Sequence, residues 1–135
     1  MAGAKCVSVK SNVTVKDIDD KKAVDAVPDQ IVDTISKAIS KTDDLTYDKR
    51  CADGWAITVG GTVKLIDPDD PQLAMNFSIT CVALFGADSV NASAKRTISI
   101  NPKKKLVDEV TSLIDDFLSD YTSKQVIPAM RKAAK

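Results

Sequence analysis

Histidine is absent from this 135-residue chain. Its absence removes Ser-His-Asp and Cys-His nucleophilic systems and the commonest general base at neutral pH. Aromatic residues make up only 4%, which argues against a ligand pocket lined by rings. Net charge is missing as well: 19 basic and 19 acidic side chains cancel, with a pI near 6.2. No global field therefore draws the chain to nucleic acid or an anionic membrane, and nucleic acid is not an expected partner. No run of about 18 apolar residues is present, so no membrane span is expected. Cysteine is scarce and widely spaced, at Cys6, Cys51 and Cys81. With no histidine and no close cysteine pair, the spacing of a zinc site is lacking. One disulfide can form, but free thiols are the expectation, with Cys81 facing a core. No cofactor or metal is expected.

What is present is alternation. Across residues 55–65, Trp55, Ile57, Val59, Val63 and Leu65 alternate with Ala56, Thr58, Gly60, Thr62 and Lys64, the period of two of a half-buried strand. Asp67, Pro68, Asp69, Asp70 and Pro71 break the pattern with turn chemistry. It resumes with Leu73, Met75, Phe77, Ile79 and Cys81 against Ala74, Asn76, Ser78 and Thr80. After Gly86-Ala87-Asp88, a third strand sets Val90, Ala92, Ala94 and Ile98, interrupted by Arg96, against Asn91, Ser93, Lys95, Thr97 and Ser99. Residues 55–100 thus read as an antiparallel meander with one apolar face and one face of Ser, Thr and Asn, and only the apolar face needs cover.

Upstream, Val7, Val9, Val13 and Val15 alternate with Ser8, Lys10, Asn12, Thr14 and Lys16 in another strand, with Ser11 the break in its apolar row. The acidic group Asp17, Asp19 and Asp20 lacks the Gly and distal Glu of a calcium loop and reads as a turn. Pro28 is expected to open a first helix, whose stripe is Ile31, Ile35, Ala38 and Ile39. Residues 45–53 read as a loop with room for a short extended piece at 45–47. Asn101 and Pro102 are expected to start a second helix bearing Leu106, Val110, Leu113, Ile114, Phe117, Leu118 and Tyr121. There Lys103, Lys104 and Lys105 would oppose the helix dipole. Thr122, Ser123 and Pro128 predict a break or kink, and residues 126–135 an amphipathic tail at the periphery of the domain.

The expected fold is α+β in one domain spanning 1–135. Its order is β-α-β-β-β-α, a two-layer arrangement of a four-stranded mixed sheet with both helices on one face. The stretch from Ala52 through Val63, Ala-Asp-Gly-Trp-Ala-Ile-Thr-Val-Gly-Gly-Thr-Val, together with this order, resembles the α+β domain of the TolB amino-terminal and penicillin-binding-protein-activator lipoproteins. The resemblance covers most of the chain in element order and about a dozen residues in wording. It implies a non-enzymatic module that docks onto envelope proteins, and it carries over no site residue. The lipoprotein leader is not in the sequence, nor is the Pro-Phe ending often seen on the first strand.

Catalytic alternatives fare poorly. Asp43-Asp44, Asp69-Asp70 and Asp115-Asp116 are sequence neighbours, whereas paired-carboxylate chemistry needs groups converging from different elements. Gly60-Gly61-Thr62 lacks the Lys and following helix of a phosphate loop and instead suggests a bulge or a close backbone approach. Asn12, Asn76 and Asn91 lie in N-x-Ser/Thr sequons, which strands rich in Ser and Thr produce by chance. The expectation is a non-catalytic interaction or assembly module, not an enzyme: a homo-oligomer, particle subunit or envelope adaptor with a protein partner or itself. Its candidate partner face is Thr58, Thr62, Asn76, Ser78, Thr80, Asn91, Ser93, Thr97 and Ser99. The competing expectation is a small-ligand carrier with a pocket between the C-terminal helix and the sheet. The first six residues lack the apolar core of a signal peptide. As written, a cytoplasmic location is expected, with an envelope or particle location if a leader has been removed.

Overall fold

Five strands and a layer of helices follow from these patterns. The computed structural model describes residues 5–67, 69 and 71–133. The opening residues 1–4, the turn residues Pro68 and Asp70, and the tail residues 134–135 lie outside the described residues. The elements are β1 (Lys5–Lys16), α1 (Lys21–Ser40), β2 (Leu45–Tyr47), β3 (Trp55–Leu65), β4 (Gln72–Ala83), β5 (Ser89–Ser99), α2 (Leu106–Tyr121), a π-helical turn (Thr122–Val126) and α3 (Ile127–Ala133).

The sheet order is β2-β1-β3-β4-β5. β1 pairs in parallel with both β2 and β3, and β3, β4 and β5 form the antiparallel meander. The expected α+β class and two-layer arrangement hold, but the sheet has five strands, not four. The extra strand, β2, is three residues long and pairs with Lys5, Cys6 and Val7. Too short to show periodicity, it forms because Leu45 is buried.

Odd-numbered residues of β1, β3 and β4 point inward with even-numbered residues of β5. Val7, Val59, Val63, Leu73, Phe77, Ile79 and Cys81 are fully buried there beneath α1 and α2. Ser11 shares that inner row, and its hydroxyl is buried without a hydrogen-bond partner among the described residues. Arg96 also lies on the inner side, at the edge strand, where its guanidinium sits 5.5 Å from the centre of the Phe117 ring. An inward position at an edge thus keeps its charge in water while the ring takes up the cation.

α1 begins at Lys21, seven residues before Pro28. The Asp20 carboxylate caps it, accepting from the Lys22 and Ala23 amides at 3.0 and 3.3 Å. An internal proline costs about 3 kcal/mol. The cap contributes about 1 kcal/mol, and burial of Ala23 and Val27 in the extra turns adds about 0.8 kcal/mol per methylene. Together these offset much of the cost. α2 in turn starts later than expected, at Leu106. Residues 101–105 form a turn in which Asn101 accepts from the Lys103 amide and the Glu109 carboxylate accepts from the Asn101 amide. The lysine triplet therefore precedes the helix, with Lys105 at its N-cap, and Asp108 and Glu109 in the first turn offset its conflict with the dipole.

The expected break after α2 is a π-helical turn, after which α3 continues with Pro128 at its second position. Val126, Ile127 and Met130 are buried, so the tail docks on the domain. Arg131 fastens it through a two-point ion pair with Asp44, Nε to Oδ2 at 2.8 Å and Nη2 to Oδ1 at 2.6 Å.

A charge-segregated slab as the candidate functional site

The strand register decides what the outer face contains. Rows run Lys10–Thr58–Thr80–Asn91, Asn12–Gly60–Ser78–Ser93, Thr14–Thr62–Asn76–Lys95 and Lys16–Lys64–Ala74–Thr97 across β1, β3, β4 and β5, with Ser99 beside Gln72 at the end. All nine residues singled out from the sequence, from Thr58 to Ser99, lie on this one face. β1 adds Lys10, Asn12, Thr14 and Lys16. The sequence reading missed these because it saw β1 as a separate strand; its alternation was visible, but its neighbour in the sheet was not. Asn12, Asn76 and Asn91 are all exposed on this face, with Asn91 accepting from the Thr80 hydroxyl at 3.1 Å.

Among the described strand residues, the charged side chains on the outer rows are Lys10, Lys16, Lys64 and Lys95, and all are basic. Lys64 reaches Asp17 at 3.6 Å, an exposed contact at the sheet's end. The opposite sign is concentrated in α2 of the helix layer. α2 carries Asp108, Glu109, Asp115, Asp116 and Asp120 and no basic residue. Asp108, Ser112, Asp116 and Asp120 recur every four residues and are exposed, so they form one stripe along the helix. On α1, Asp25, Asp29 and Asp33 do the same. Cations interrupt this layer: Lys21, Lys22 and Lys37 on α1 equal its three aspartates in number, and Lys124, Arg131 and Lys132 follow α2. Two of these cations pair with the stripes, Lys37 with Asp33 at 2.9 Å and Lys124 with Asp120 at 2.8 Å. Each ammonium is held above its ordinary pKa, first by the hydrogen bond to its carboxylate.

Two clefts run between these helices on their solvent side, lined by Gln30, Asp33, Thr111 and Asp115 among others. Their floor is a polar lock. Thr34 donates to the Asp115 carboxylate at 2.9 Å, and Gln30 donates to the Thr34 hydroxyl at 2.9 Å. Asp115 therefore fastens α2 to α1 while its neighbour Asp116 is exposed, so this adjacent pair does not converge. Asp44 is similarly engaged by Arg131, whose hydrogen bonds hold its carboxyl below the ordinary value. Asp20 of the N-terminal acidic group is a helix cap, and Asp17 adopts φ 59° in the turn after β1.

The cysteines correct another expectation. Cys6 and Cys51 form a disulfide, with Cα atoms 5.5 Å apart, where free thiols were expected. Their sequence separation of 45 hid the contact; β1 brings Cys6 beside the loop that carries Cys51. Gly54 packs so closely that a Cβ there would meet the Cys6 carbonyl oxygen at 1.8 Å. Asp53 lies beside the two sulfurs, but with both committed to the bond this group is not a thiolate metal site. Cys81 is free and buried, as its alternation implied. Burial pushes its thiol up to about 12, far from the thiolate character of a nucleophile. Just beyond Cys81, Val82, Leu84 and Phe85 expose apolar surface at the hairpin tip.

No protein family matches the sequence, and no curated protein matches it. The fold does have counterparts. A Xanthomonas campestris protein of family DUF330 superposes with a TM-score of 0.66 at 5% identity, covering 99% of this chain and 90% of that one. A hypothetical protein from Chlamydia trachomatis gives 0.53 at 8% identity over 98% and 94% of the two chains. PelC from Paraburkholderia phytofirmans, crystallised as a dodecamer, gives 0.52 at 14% identity over 91% and 90%. At these identities the likeness is one of fold: a two-layer α+β domain shared over nearly the whole chain.

Proposed function

We propose that this protein is a non-catalytic assembly module that uses the outer face of its sheet to bind protein, including further copies of itself. The observation that carries this reading is the face itself: four long strands presenting small hydrogen-bonding side chains, with the helices all on the other side. Strands of 11 or 12 residues at about 3.3 Å per residue and about 4.8 Å apart present roughly 700 Å². A standard interface takes about 800 Å² per partner. The dodecameric state of PelC, which shares the fold, supports self-association. The Cys6–Cys51 disulfide supports an oxidising compartment such as the cell envelope, in keeping with the resemblance to envelope-docking lipoprotein domains. The carrier reading is less well supported, because the contact between α2 and the sheet is filled by Phe77, Ile114, Phe117 and Leu118, each 8% exposed or less.

The test is size-exclusion chromatography with light scattering on the wild type and on Ser78→Glu, which places a bulky charge at the centre of the face. Association that Ser78→Glu weakens at unchanged melting temperature is expected. Association indifferent to that substitution removes the face from the interaction.

A further inference from the structure

The chain is neutral in sum and bipolar in space. We infer that copies stack head to tail, the basic sheet face of one against the acidic stripe of α2 and the neighbouring aspartates Asp25, Asp29 and Asp33 of α1 in the next. This rests on the reading of the sheet face as an interaction surface and names what covers it: a second copy of this chain.

Three observations carry the inference. The outer strand rows hold four lysines and no acidic residue among those described, while α2 holds five acidic residues and no base. The dimensions also agree. Lys10 and Lys16 lie six residues apart along β1, about 20 Å in an extended strand. Asp108 and Asp120 lie twelve residues apart along α2, about 18 Å in a helix. Finally, no ion pair among the described residues engages Lys10, Lys16, Lys95, Asp25, Asp29, Asp108 or Asp116, so both surfaces keep their charges for a partner. Sheet against sheet would instead face lysine with lysine, and α2 stripe against α2 stripe Asp with Asp. Each is repulsive, so the same charges that favour head-to-tail stacking disfavour both symmetric dimers. A contact between two different surfaces leaves each copy with one unused surface of either sign. It propagates, closing into a ring where the rotation permits and otherwise into a filament.

The decisive experiment is a charge swap followed by light scattering and sedimentation at low ionic strength. Lys10→Glu/Lys95→Glu inverts part of the sheet face; Asp29→Lys/Asp116→Lys inverts part of the helix layer. All four positions are exposed, so both proteins are expected to melt like the wild type. Each alone is expected to lose at least about tenfold in association constant. Mixed at equal amounts they regain assembly, since the glutamates introduced on the sheet of one then meet the lysines introduced on the helix layer of the other, and the unaltered surfaces also match. Wild-type assembly is expected to weaken as salt shortens the screening length from about 10 Å at 0.1 M to about 3 Å at 1 M. The inference is overturned if the helix-layer variant assembles like the wild type, if the mixture stays dissociated, or if the wild type is monomeric at low salt and high concentration. Where Ser78→Glu blocks assembly but the helix-layer variant does not, head-to-tail stacking fails while the sheet face stands as the interaction surface. Where Ser78→Glu changes nothing, the sheet-face reading itself fails.

Discussion

Gly60 and Gly61 are neighbours in the middle of β3, yet alanine at the two positions is expected to act with opposite signs. Gly61 has φ +119°, and a Cβ there would meet the Asn76 carbonyl oxygen at 1.9 Å and its carbon at 2.9 Å. Those are backbone atoms of β4 in an unbroken ladder from Trp55–Ala83 to Leu65–Leu73, so no flexible side chain can yield. Backbone strain of about 1–3 kcal/mol adds to the displacement of a central strand, giving a loss of about 3–5 kcal/mol, within the range reserved for backbone defects. At Gly60 a Cβ would find only the Ser78 carbonyl oxygen at 3.9 Å, ordinary contact. Gly60→Ala is therefore expected to gain up to about 1 kcal/mol by reducing the freedom of the unfolded chain. With an unfolding entropy of about 2.1 cal/mol/K per residue, 4 kcal/mol corresponds to a fall in melting temperature of roughly 14 °C. Urea denaturation followed by circular dichroism measures both variants, with the slope of the transition unchanged. A Gly61→Ala protein within about 1 kcal/mol of the wild type, or a Gly60→Ala protein as damaged as its neighbour, refutes the close-approach account.

Other consequences can be measured with the same purified protein. Reducing the Cys6–Cys51 bond, or replacing both residues with serine, releases a closed loop of about 46 residues and is expected to cost up to about 4 kcal/mol, read as a lower urea midpoint; an unchanged midpoint would mean that the bond constrains nothing. Ser11→Ala removes the hydroxyl buried without a partner and is expected to stabilise by about 1 kcal/mol, whereas a loss of stability would show that the hydroxyl is satisfied. Cys81, with its thiol pushed up to about 12 by burial, stays protonated in the folded state while the unfolded thiol ionises near 9. Its contribution is thus intact below about pH 9 and lost as pH rises toward 12, at up to about 1.4 kcal/mol per unit; Cys81→Ala should flatten that alkaline slope, and an unchanged slope assigns it elsewhere. Arg131→Gln removes both hydrogen bonds to Asp44 and is expected to speed amide exchange in Ile127–Ala133 while the midpoint barely moves; unchanged exchange there would show that burial of Ile127 and Met130 alone holds α3.

Much of the fold was legible because strands and helices write their period into the chain. The three meander strands, both principal helices and the inward set of Ile57, Phe77, Ile79 and Cys81 follow from local spacing. Helix starts were less legible. An internal proline at Pro28 looks like a beginning unless the burial of Ala23 and Val27 is known, and the turn at Asn101 looks like one unless its bond to Glu109 is seen. The extended piece at 45–47 was anticipated, but its place beside β1 as a fifth strand was hidden, as was the disulfide, for a different reason: each depends on a partner tens of residues away, and three residues or one cysteine carry no periodic signal.

The nine sheet-face residues share one side because alternation along β3, β4 and β5 dictates it, and sequence alone determined that much. The count of charges was equally available, and it came to zero. What only the tertiary structure decided is where those charges go. Parallel pairing of β1 with β3 carries Lys10 and Lys16 onto the same face as Lys64 and Lys95, and the helical period stacks Asp108, Asp116 and Asp120 on the opposite side of the slab. A sum over the chain cannot see that separation, because register and layering, not composition, determine which charges become neighbours.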